Sequence, residues 1–352
     1  MAVFVCAGCD AVLTAEVSQV ALPAEVHQRW GNGVLLPVLM AAGTYAVEPE
    51  PSGPPWRPWS EVGPEEAEKR GVYAPVFALS FGAPGAVFVA PGDTRGTVLI
   101  PERCGGFCCG LDGRDGPNLA CERCGRAVAT RIDDCSYWQS VRLDPQAVRG
   151  LPAPGPTSGS GPREGRAQER ERTSPLDQYG GWSPRWEAAA GVALAHLLVA
   201  SEGRAVAVPD GLAAELFRHA LDTLLPTGRP AKRAALAGPG LPAPDADVDI
   251  VLVPPLPWTG RARQPPSTAA VPMTADIWSQ LTSPHRELPV PVTGGMPDGV
   301  FRDDPLPLHP RRLFRPDWGV FLHTLARLPA VREPWLRALH DHVRSRPYAD
   351  PF

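Results

Sequence analysis

Lysine and histidine are scarce in this sequence. Lys69 and Lys232 are the only lysines among 34 basic residues, and His27 is the only histidine in residues 1–150. The strong preference for arginine, together with abundant alanine, glycine and proline, is typical of a GC-rich coding bias, so a single arginine carries little functional information. The scarcity of histidine argues against a histidine-ligated catalytic metal in the first half of the chain.

Long apolar runs and targeting signals are also lacking. No run reaches the roughly 18 apolar residues that a membrane span requires. The opening residues Met1–Cys6 have no positively charged segment before their apolar stretch, as a signal peptide would. We therefore expect a cytoplasmic protein that does not bind membranes. In such a reducing compartment, paired cysteines bind metal more often than they form disulfides.

The common catalytic motifs are absent as well. The chain has no P-loop, no Gly-x-Gly-x-x-Gly, no Gly-x-Ser-x-Gly and no His-Glu-x-x-His. Its net charge of −4 lacks the basic footprint that is typical of nucleic-acid-binding proteins. The sequence alone therefore leaves open whether the protein is an enzyme, and it argues against a nucleic-acid partner.

Proline and glycine are abundant instead, with 44 and 35 of 352 residues. A chain of this length is expected to form two domains. Pro152–Pro162 is rich in Pro, Gly and Ser, and Arg163–Arg172 alternates arginine with glutamate, so there is little to bury. Residues 149–182 are therefore predicted to be a disordered linker between a domain of residues 1–148 and a domain of residues 183–352.

The first 148 residues predict a mainly-β domain. Short apolar runs bounded by turn residues predict strands, and Asn32-Gly33 is a strong hairpin signal. Residues 63–70 begin with proline and acidic residues and end with basic ones, which favours a short helix. The predicted strands are Val34–Met40, Val76–Leu79, Ala86–Ala90 and Thr97–Ile100.

The last 170 residues predict a helix-rich α/β domain, which makes the whole chain α+β. Apolar residues recur at helical spacing after Ser183, Asp210 and Asp317, each of which can cap a helix. Residues 254–316 show no clear pattern. The predicted elements also include a helix over Pro334–Val343 and strands over Arg204–Val208 and Val248–Val253.

Cysteine supplies the most specific signal in the sequence. Four of the eight cysteines form two Cys-x-x-Cys pairs: Cys6-Ala-Gly-Cys9 and Cys121-Glu-Arg-Cys124-Gly125. Two thiolates at this spacing in a tight turn can face one tetrahedral ion, while the amides of the turn donate to the sulfurs. Glycine after the second pair permits the left-handed conformation that such turns often need.

These pairs, with the strand-like segments Ala11–Val17 and Ala127–Ile132 that follow them, resemble the knuckles of zinc-ribbon proteins. The resemblance implies a structural Zn²⁺ held by Cys6, Cys9, Cys121 and Cys124 in a small β-sheet, and it implies no activity. The roughly 110 residues between the pairs would be an insertion in the ribbon. Residues 110–138 also resemble segments of actinobacterial proteins that have no assigned activity.

The other four cysteines leave several interpretations open. Cys104, Cys108, Cys109 and Cys135 could form a second zinc site, or offer alternative partners to the Cys121 pair. Neighbouring cysteines rarely point at one ion without strain, so one of Cys108 and Cys109 is expected to be free. Each leftover cysteine can equally be a small buried hydrophobe, or belong to a reversible disulfide.

Three functional classes remain, in order of preference. The first is an interaction or accessory protein that binds a protein partner, because Trp56 and Trp59 lie in a proline-rich loop and exposed aromatic residues favour interfaces. The second is a metal-dependent enzyme around Asp247 and Asp249, which with Asp245 alternate into a predicted strand. The third is a nucleic-acid-binding protein that uses the ribbon and the basic-aromatic cluster Arg311–Arg315.

Overall fold

The computed structural model describes residues 1–29, 37–106, 108–153, 174–176, 181–226, 231–254, 268–283 and 312–346. These residues form a mixed α+β structure with several sheets and seven α-helices, which confirms the predicted class. The chain divides into two compact units. Unit 1 is Met1–Arg70 with Val76–Pro162, and unit 2 is Gly71–Pro75 with Arg163–Phe352.

Unit 1 is built mainly from short strands. A seven-stranded sheet has the order β2-β3-β6-β10-β9-β8-β7, and two further pairs, β1-β11 and β4-β5, stand beside it. The strands are β1 (Ala2–Cys6), β2 (Ser18–Gln19), β3 (Thr44–Glu48), β4 (Trp56–Pro58), β5 (Ala78–Ser80), β6 (Ala86–Val89), β7 (Thr97–Leu99), β8 (Leu119–Cys121), β9 (Ala127–Ile132), β10 (Ser140–Leu143) and β11 (Val148–Pro152).

The core of unit 1 lies on both faces of this sheet. Every residue of β6 is buried, since β6 pairs with β3 on one side and with β10 on the other. Successive side chains of a strand point to opposite faces. Accordingly, Val87 and Val89 belong to one apolar cluster, whereas Phe88 and Ala90 belong to another with Trp138. This double burial explains why the sequence of β6 is continuously apolar.

Helices in unit 1 are few and short. Two consecutive α-helices, α1 (Trp59–Val62) and α2 (Pro64–Lys69), follow β4. The second confirms the helix predicted over residues 63–70. Turns of 3-10 helix occur at Ala24–His27, Pro91–Asp93 and Pro101–Arg103.

Unit 2 contains a four-stranded parallel sheet with α-helices. The strand order is β12-β13-β14-β15, and each neighbouring pair is parallel. The strands are β12 (Val206–Ala207), β13 (Lys232–Leu236), β14 (Ile250–Val253) and β15 (Ala269–Pro272). The helices are α3 (Pro184–Ser201), α4 (Leu212–Leu224), α5 (Ala275–Leu281), α6 (Trp318–Leu325) and α7 (Pro334–Arg344), and a 3-10 turn spans Pro329–Arg332.

Helix α3 is the centre of unit 2. It packs against α6 and β15, and most of its residues are buried. Gly191 is needed at the α3–α6 contact, because a Cβ atom there would lie 2.6 Å from the Asp317 carbonyl oxygen. The small residue therefore allows the two helices to approach closely.

The predicted helix caps had different outcomes. The Asp317 side chain accepts a hydrogen bond from the Val320 N–H at 2.7 Å, so it caps α6 as predicted. Ser183 occupies the cap position of α3, but its side chain makes no capping bond. The prediction for Asp210 was wrong, because Gly211 is the cap residue of α4 and Asp210 pairs instead with Arg218.

Some of the other predicted strands are confirmed, whereas other predicted segments fall partly or wholly on residues that the structure does not describe. Strands are confirmed at β5, β6, β7, β12 and β14, each within a residue or two of the predicted ends. In the predicted strand Val34–Met40, residues 34–36 are not described, and Val38 forms only an isolated bridge with Gln139. The Asn32-Gly33 hairpin and most of the predicted linker, residues 154–173 and 177–180, lie outside the described residues.

Candidate metal centre

The first Cys-x-x-Cys pair lies in the turn that follows β1. The strand-like segment expected over Ala11–Val17 forms only isolated bridges to β1, at Val12 and Val17. β1 ends at Cys6, whose N–H donates to the Ala11 carbonyl at 2.9 Å, and the Asp10 N–H donates to the Cys6 carbonyl at 2.9 Å. Asp10 has a φ of 60°, a left-handed conformation that aspartate tolerates better than most residues. The turn directs amides at the sulfurs: Gly8 N–H donates to Cys6 Sγ at 3.4 Å, and Ala11 N–H donates to Cys9 Sγ.

The second pair repeats this geometry between β8 and β9. The Cys121 N–H donates to the Arg126 carbonyl at 2.8 Å, and the Gly125 N–H donates to the Cys121 carbonyl at 2.8 Å. Gly125 has a φ of 73° and so occupies the position that Asp10 holds in the first turn. The Arg126 N–H donates to the Cys124 sulfur, as the Ala11 N–H does to Cys9. The two turns are therefore matched knuckles.

The two knuckles meet at their sulfur atoms. Cys6 Sγ lies 3.6 Å from Cys124 Sγ, and Cys9 Sγ lies 3.6 Å from Cys121 Sγ. All four sulfurs lie within 4.8 Å of one another. Cys6 and Cys121 are buried, Cys9 is half-buried and Cys124 is exposed. The structure thus brings together the four cysteines that the sequence predicts as one site.

The thiols of this cluster differ in their affinity for protons. The Arg126 N–H and a hydrogen bond with Cys9 lower the pKa of Cys124 to about 7. At Cys9 the Ala11 N–H acts to lower the pKa, but desolvation and hydrogen bonds with the other three cysteines outweigh it and raise the pKa to about 12. A divalent cation bound to these sulfurs would displace the protons of the thiols that coordinate it.

The donor set and its spacing fit a zinc ion. A tetrahedral site with zinc–sulfur bonds of about 2.3 Å places its sulfurs about 3.8 Å apart, close to the 3.6 Å of the two cross-knuckle pairs. Within the described residues, no histidine or carboxylate joins this cluster. Four thiolates fill a tetrahedral coordination shell, so such a site is closed.

The other four cysteines divide differently from the prediction. The sulfurs of Cys108, Cys109 and Cys135 form a second group within 4.8 Å of one another. Cys104 does not belong to it, because its thiol donates to the Ile100 carbonyl at 3.2 Å. Both adjacent cysteines place their sulfurs in this group, and the expectation that one of them is free of metal stays a prediction.

The aspartates proposed as an enzyme site are occupied by other contacts. β14 begins only after Asp249, so Asp245, Asp247 and Asp249 do not share a strand face as predicted. The Asp247 carboxylate pairs with the Arg233 guanidinium, and the Asp249 carboxylate accepts the Arg233 N–H at 2.9 Å. They also precede a parallel strand, whereas ligand sites of parallel α/β sheets lie beyond the carboxyl ends of the strands.

The basic-aromatic cluster is partly structural. Arg311 lies outside the described residues, and the Arg312 guanidinium pairs with the buried carboxylate of Glu187. Burial raises the pKa of Glu187 to about 7, against the lowering effect of Arg312. The Arg312 carbonyl accepts the Trp182 indole N–H at 2.8 Å, and Phe314 is buried against Trp182. These contacts indicate a packing role for the described part of Arg311–Arg315.

Unit 1 exposes aromatic side chains around the β4–β5 pair. Trp56 is 49% exposed and Phe77, the residue before β5, is 90% exposed. The guanidinium carbons of Arg57 and Arg70 lie 4.5 Å and 3.8 Å from the ring centre of Phe81. We call these five residues the aromatic surface. The sequence indicated Trp56 and Trp59 as loop residues; Trp56 instead begins β4, and Trp59 begins α1 and is half-buried. The apolar pattern around Phe77 did not indicate its exposure.

None of the described helices combines the length and the apolar character that a bilayer crossing requires. A comparison of the chain with protein families, with curated proteins and with solved structures finds no match. Functional inference therefore depends on the chemistry of the sites themselves.

Proposed function

We propose that this protein is a zinc-stabilised interaction or accessory protein of the cytoplasm. In this proposal Cys6, Cys9, Cys121 and Cys124 bind one structural Zn²⁺, in the manner of zinc-ribbon proteins. The observation that carries the proposal is the convergence of two matched knuckles, whose four sulfurs lie within 4.8 Å of one another. Free thiols at this site require a reducing compartment, which supports the cytoplasm as the location.

A structural role for the zinc is better supported than a catalytic one. Catalytic zinc sites keep a coordination position open for water or substrate, while four thiolates close the shell. Cys6 and Cys121 are fully buried within an apolar cluster that includes Leu13 and Val128. The ion would therefore act as part of the core, by tying the turn after β1 to the β8–β9 hairpin.

The aromatic surface supports an interaction role. Trp56 and Phe77 expose large apolar side chains, and Arg57 and Arg70 lie against the Phe81 ring of the same surface. Interfaces are enriched in aromatic residues and arginine. The alternatives have less support, because Asp247, Asp249 and Arg312 are already engaged in ion pairs or backbone contacts. A protein partner that contacts the aromatic surface is the best-supported class.

Zinc counting tests the first half of the proposal. Native mass spectrometry of the reduced full-length chain, loaded with Zn²⁺, should show an ion that survives a mild chelator. The Cys124→Ser variant, which changes an exposed ligand, should lose that ion. The Cys104→Ser variant is the matched control and should keep it, because Cys104 lies outside the cluster. A metal-free, fully folded wild-type chain would refute the structural zinc.

Crosslinking in cells tests the second half. The double variant Trp56→Ala, Phe77→Ala should lose crosslinked proteins that the wild type recovers. Val98→Ala is the control, because Val98 is 47% exposed on β7 and lies outside the aromatic surface. Identical sets of crosslinked proteins from the wild type and the double variant would count against this surface as the interface.

A further inference from the structure

The cysteines outside the knuckles form a second sulfur cluster. The sulfurs of Cys108, Cys109 and Cys135 lie within 4.8 Å of one another, and the Cys135 N–H donates to Cys109 Sγ at 3.3 Å. Cys108 and Cys109 are exposed, whereas Cys135 is buried. The cluster therefore presents two of its three thiols to solvent.

A buried carboxylate holds the adjacent cysteines in place. Asp134 Oδ2 accepts the N–H groups of Cys108, Cys109 and Gly110 at 3.3, 3.1 and 3.2 Å, and Oδ1 accepts the Ser136 N–H at 3.0 Å. Three successive amides that converge on one oxygen form an anion-binding nest. The backbone itself thus orients the neighbouring cysteines, so their convergence needs no strained side-chain packing.

Two glycines allow this turn to close on the segment that carries Cys135. A Cβ atom at Gly106 would lie 1.5 Å from the Gly110 carbonyl oxygen, and one at Gly110 would lie 1.7 Å from the Asp133 carbonyl oxygen. Leu111 and Asp133 form an antiparallel bridge, with hydrogen bonds of 3.0 and 2.7 Å. The spacing of the cluster is therefore built into the local fold.

This cluster differs from the four-thiolate site in its number of ligands. Among the residues that the structure describes, no fourth cysteine, histidine or carboxylate joins it, and the thiol of Cys104 is directed at the Ile100 carbonyl. Thiolate ligands select thiophilic ions. A zinc ion with three protein ligands keeps its fourth position for water or another small ligand.

We propose that Cys108, Cys109 and Cys135 form a second metal site, which binds a thiophilic divalent cation through three thiolates and leaves one coordination position open to solvent. Each protonated thiol releases its proton to solvent when its sulfur binds the metal. Because two of its three ligands are exposed and one coordination position is open, this ion exchanges with the solution faster than the ion of the four-thiolate site, where one ligand is exposed and the shell is closed.

Zinc release from the intact, reduced chain tests the second site. The wild type should hold two Zn²⁺ ions per chain, and a colorimetric chelator should remove one quickly and one slowly. Cys108→Ser changes an exposed residue and should remove only the fast phase, and Cys135→Ser should do the same. Cys104→Ser is the matched control and should keep both phases. A single ion in the wild type, or a fast phase that Cys104→Ser also removes, would overturn the three-thiolate site.

Cobalt tests the open position separately. In the Co²⁺-loaded wild type, addition of a small monothiol should change the visible absorption bands, because the thiol enters the free position of the second site. Co²⁺-loaded Cys108→Ser should show no change, since its remaining ion is enclosed by four thiolates. An unchanged spectrum in the wild type would refute the open position. In the zinc-release experiment, Cys124→Ser should lose only the slow phase, and this result tests the four-thiolate site independently of the second site.

Discussion

The sulfur atoms of Cys6 and Cys124 lie 3.6 Å apart although 118 residues separate them in the chain. Cys6 is the last residue of β1, and Cys124 lies in the turn between β8 and β9. A metal ion shared by these two turns therefore closes a very long loop. Such a closure stabilises the folded state by restricting the unfolded chain, while the ion also binds only the folded arrangement.

Loss of the zinc should unfold unit 1 selectively. Binding of structural zinc contributes roughly 10 kcal/mol or more in small zinc domains, which is comparable to the whole stability of a domain. Cys121→Ser removes a buried ligand, so we expect unit 1 to aggregate while unit 2 keeps its unfolding transition. Calorimetry of the full chain measures both. An unchanged thermogram with full zinc content would contradict the ligand assignment.

The left-handed residue of the second knuckle should be sensitive to substitution. Gly125 has a φ of 73°, and a side chain in this conformation costs roughly 1–2 kcal/mol. A Cβ atom would meet nothing within 4 Å, so Gly125→Ala tests backbone strain alone. We expect it to lower the free energy of unfolding of unit 1 by about 1 kcal/mol, measured by chemical denaturation.

Asp10 provides the matched comparison. It occupies the equivalent position of the first knuckle with a φ of 60°, so Asp10→Gly should relieve strain rather than create it. Its ion pair with Arg149 is exposed and contributes little. Stability should therefore change by less than about 0.5 kcal/mol. A large loss in Asp10→Gly would mean that the knuckles are not equivalent.

The carboxylate of Asp134 should be required for the second metal site. Asp134→Asn keeps the size of the side chain but replaces one acceptor oxygen by an amide NH₂ group, which cannot accept the amides of the turn. We expect loss of the fast phase of zinc release and an unchanged slow phase. Asp133→Asn is the control, because Asp133 pairs with Arg131 near the surface. A normal fast phase in Asp134→Asn would show that the turn needs no anion.

Glu187 should make the stability of unit 2 depend on pH. Burial raises its pKa from 4.5 to about 7, with Arg312 and Arg315 acting to lower it and Asp317 acting to raise it. The folded state therefore holds a proton that the unfolded state releases between about pH 4.5 and 7. This contribution to stability is fully present below about pH 4.5 and is lost as the pH rises to about 7.

Glu187→Gln tests this pH dependence. The variant cannot ionise, so the decline between about pH 4.5 and 7, on the order of 3 kcal/mol, should be absent from its stability curve. The curve is measured by denaturant unfolding of the full chain at a series of pH values. A parallel decline in the variant and the wild type would assign the pH dependence to other groups.

The two predicted caps in unit 2 should respond differently to alanine. Asp317 accepts the Val320 N–H, so Asp317→Ala should cost about 1 kcal/mol. Asp210 precedes the cap residue of α4 and is fully solvated beside Arg218, so Asp210→Ala should have little effect. Equal losses of stability for the two variants would mean that the capping bond does not contribute.

Local patterns in the sequence predict the elements of this fold well, because they depend on neighbouring residues. Apolar spacing located α4 and α7, and turn residues located β6 and β7. The pairing of strands, in contrast, cannot be predicted from such local patterns. Nothing in the composition of β1 indicates that it pairs with β11, since the two segments lie far apart in the chain. Unit 2 likewise includes Gly71–Pro75, because Tyr73 N–H donates to the Ala326 carbonyl at 2.7 Å.

The same distinction between local motifs and long-range contacts applies to the candidate sites. The Cys-x-x-Cys spacing predicted which four cysteines meet, because the knuckle is a local motif. It could not predict that Cys108 and Cys109 share a cluster, because their orientation depends on Asp134. Nor could it predict that Asp247 would be engaged by Arg233, which lies on a neighbouring strand. Contacts between distant segments decide the function of such polar residues.

The pairing of β1 with β11 has a consequence for biosynthesis. Ala2 lies opposite Pro152 and Cys6 opposite Val148, so β1 has no pairing partner during synthesis until β11 has been made. The four-cysteine cluster likewise stays incomplete until Cys121 and Cys124 have been translated. During that interval Cys6 and Cys9 lack their partner thiols, and the emerging polypeptide is most vulnerable to oxidation.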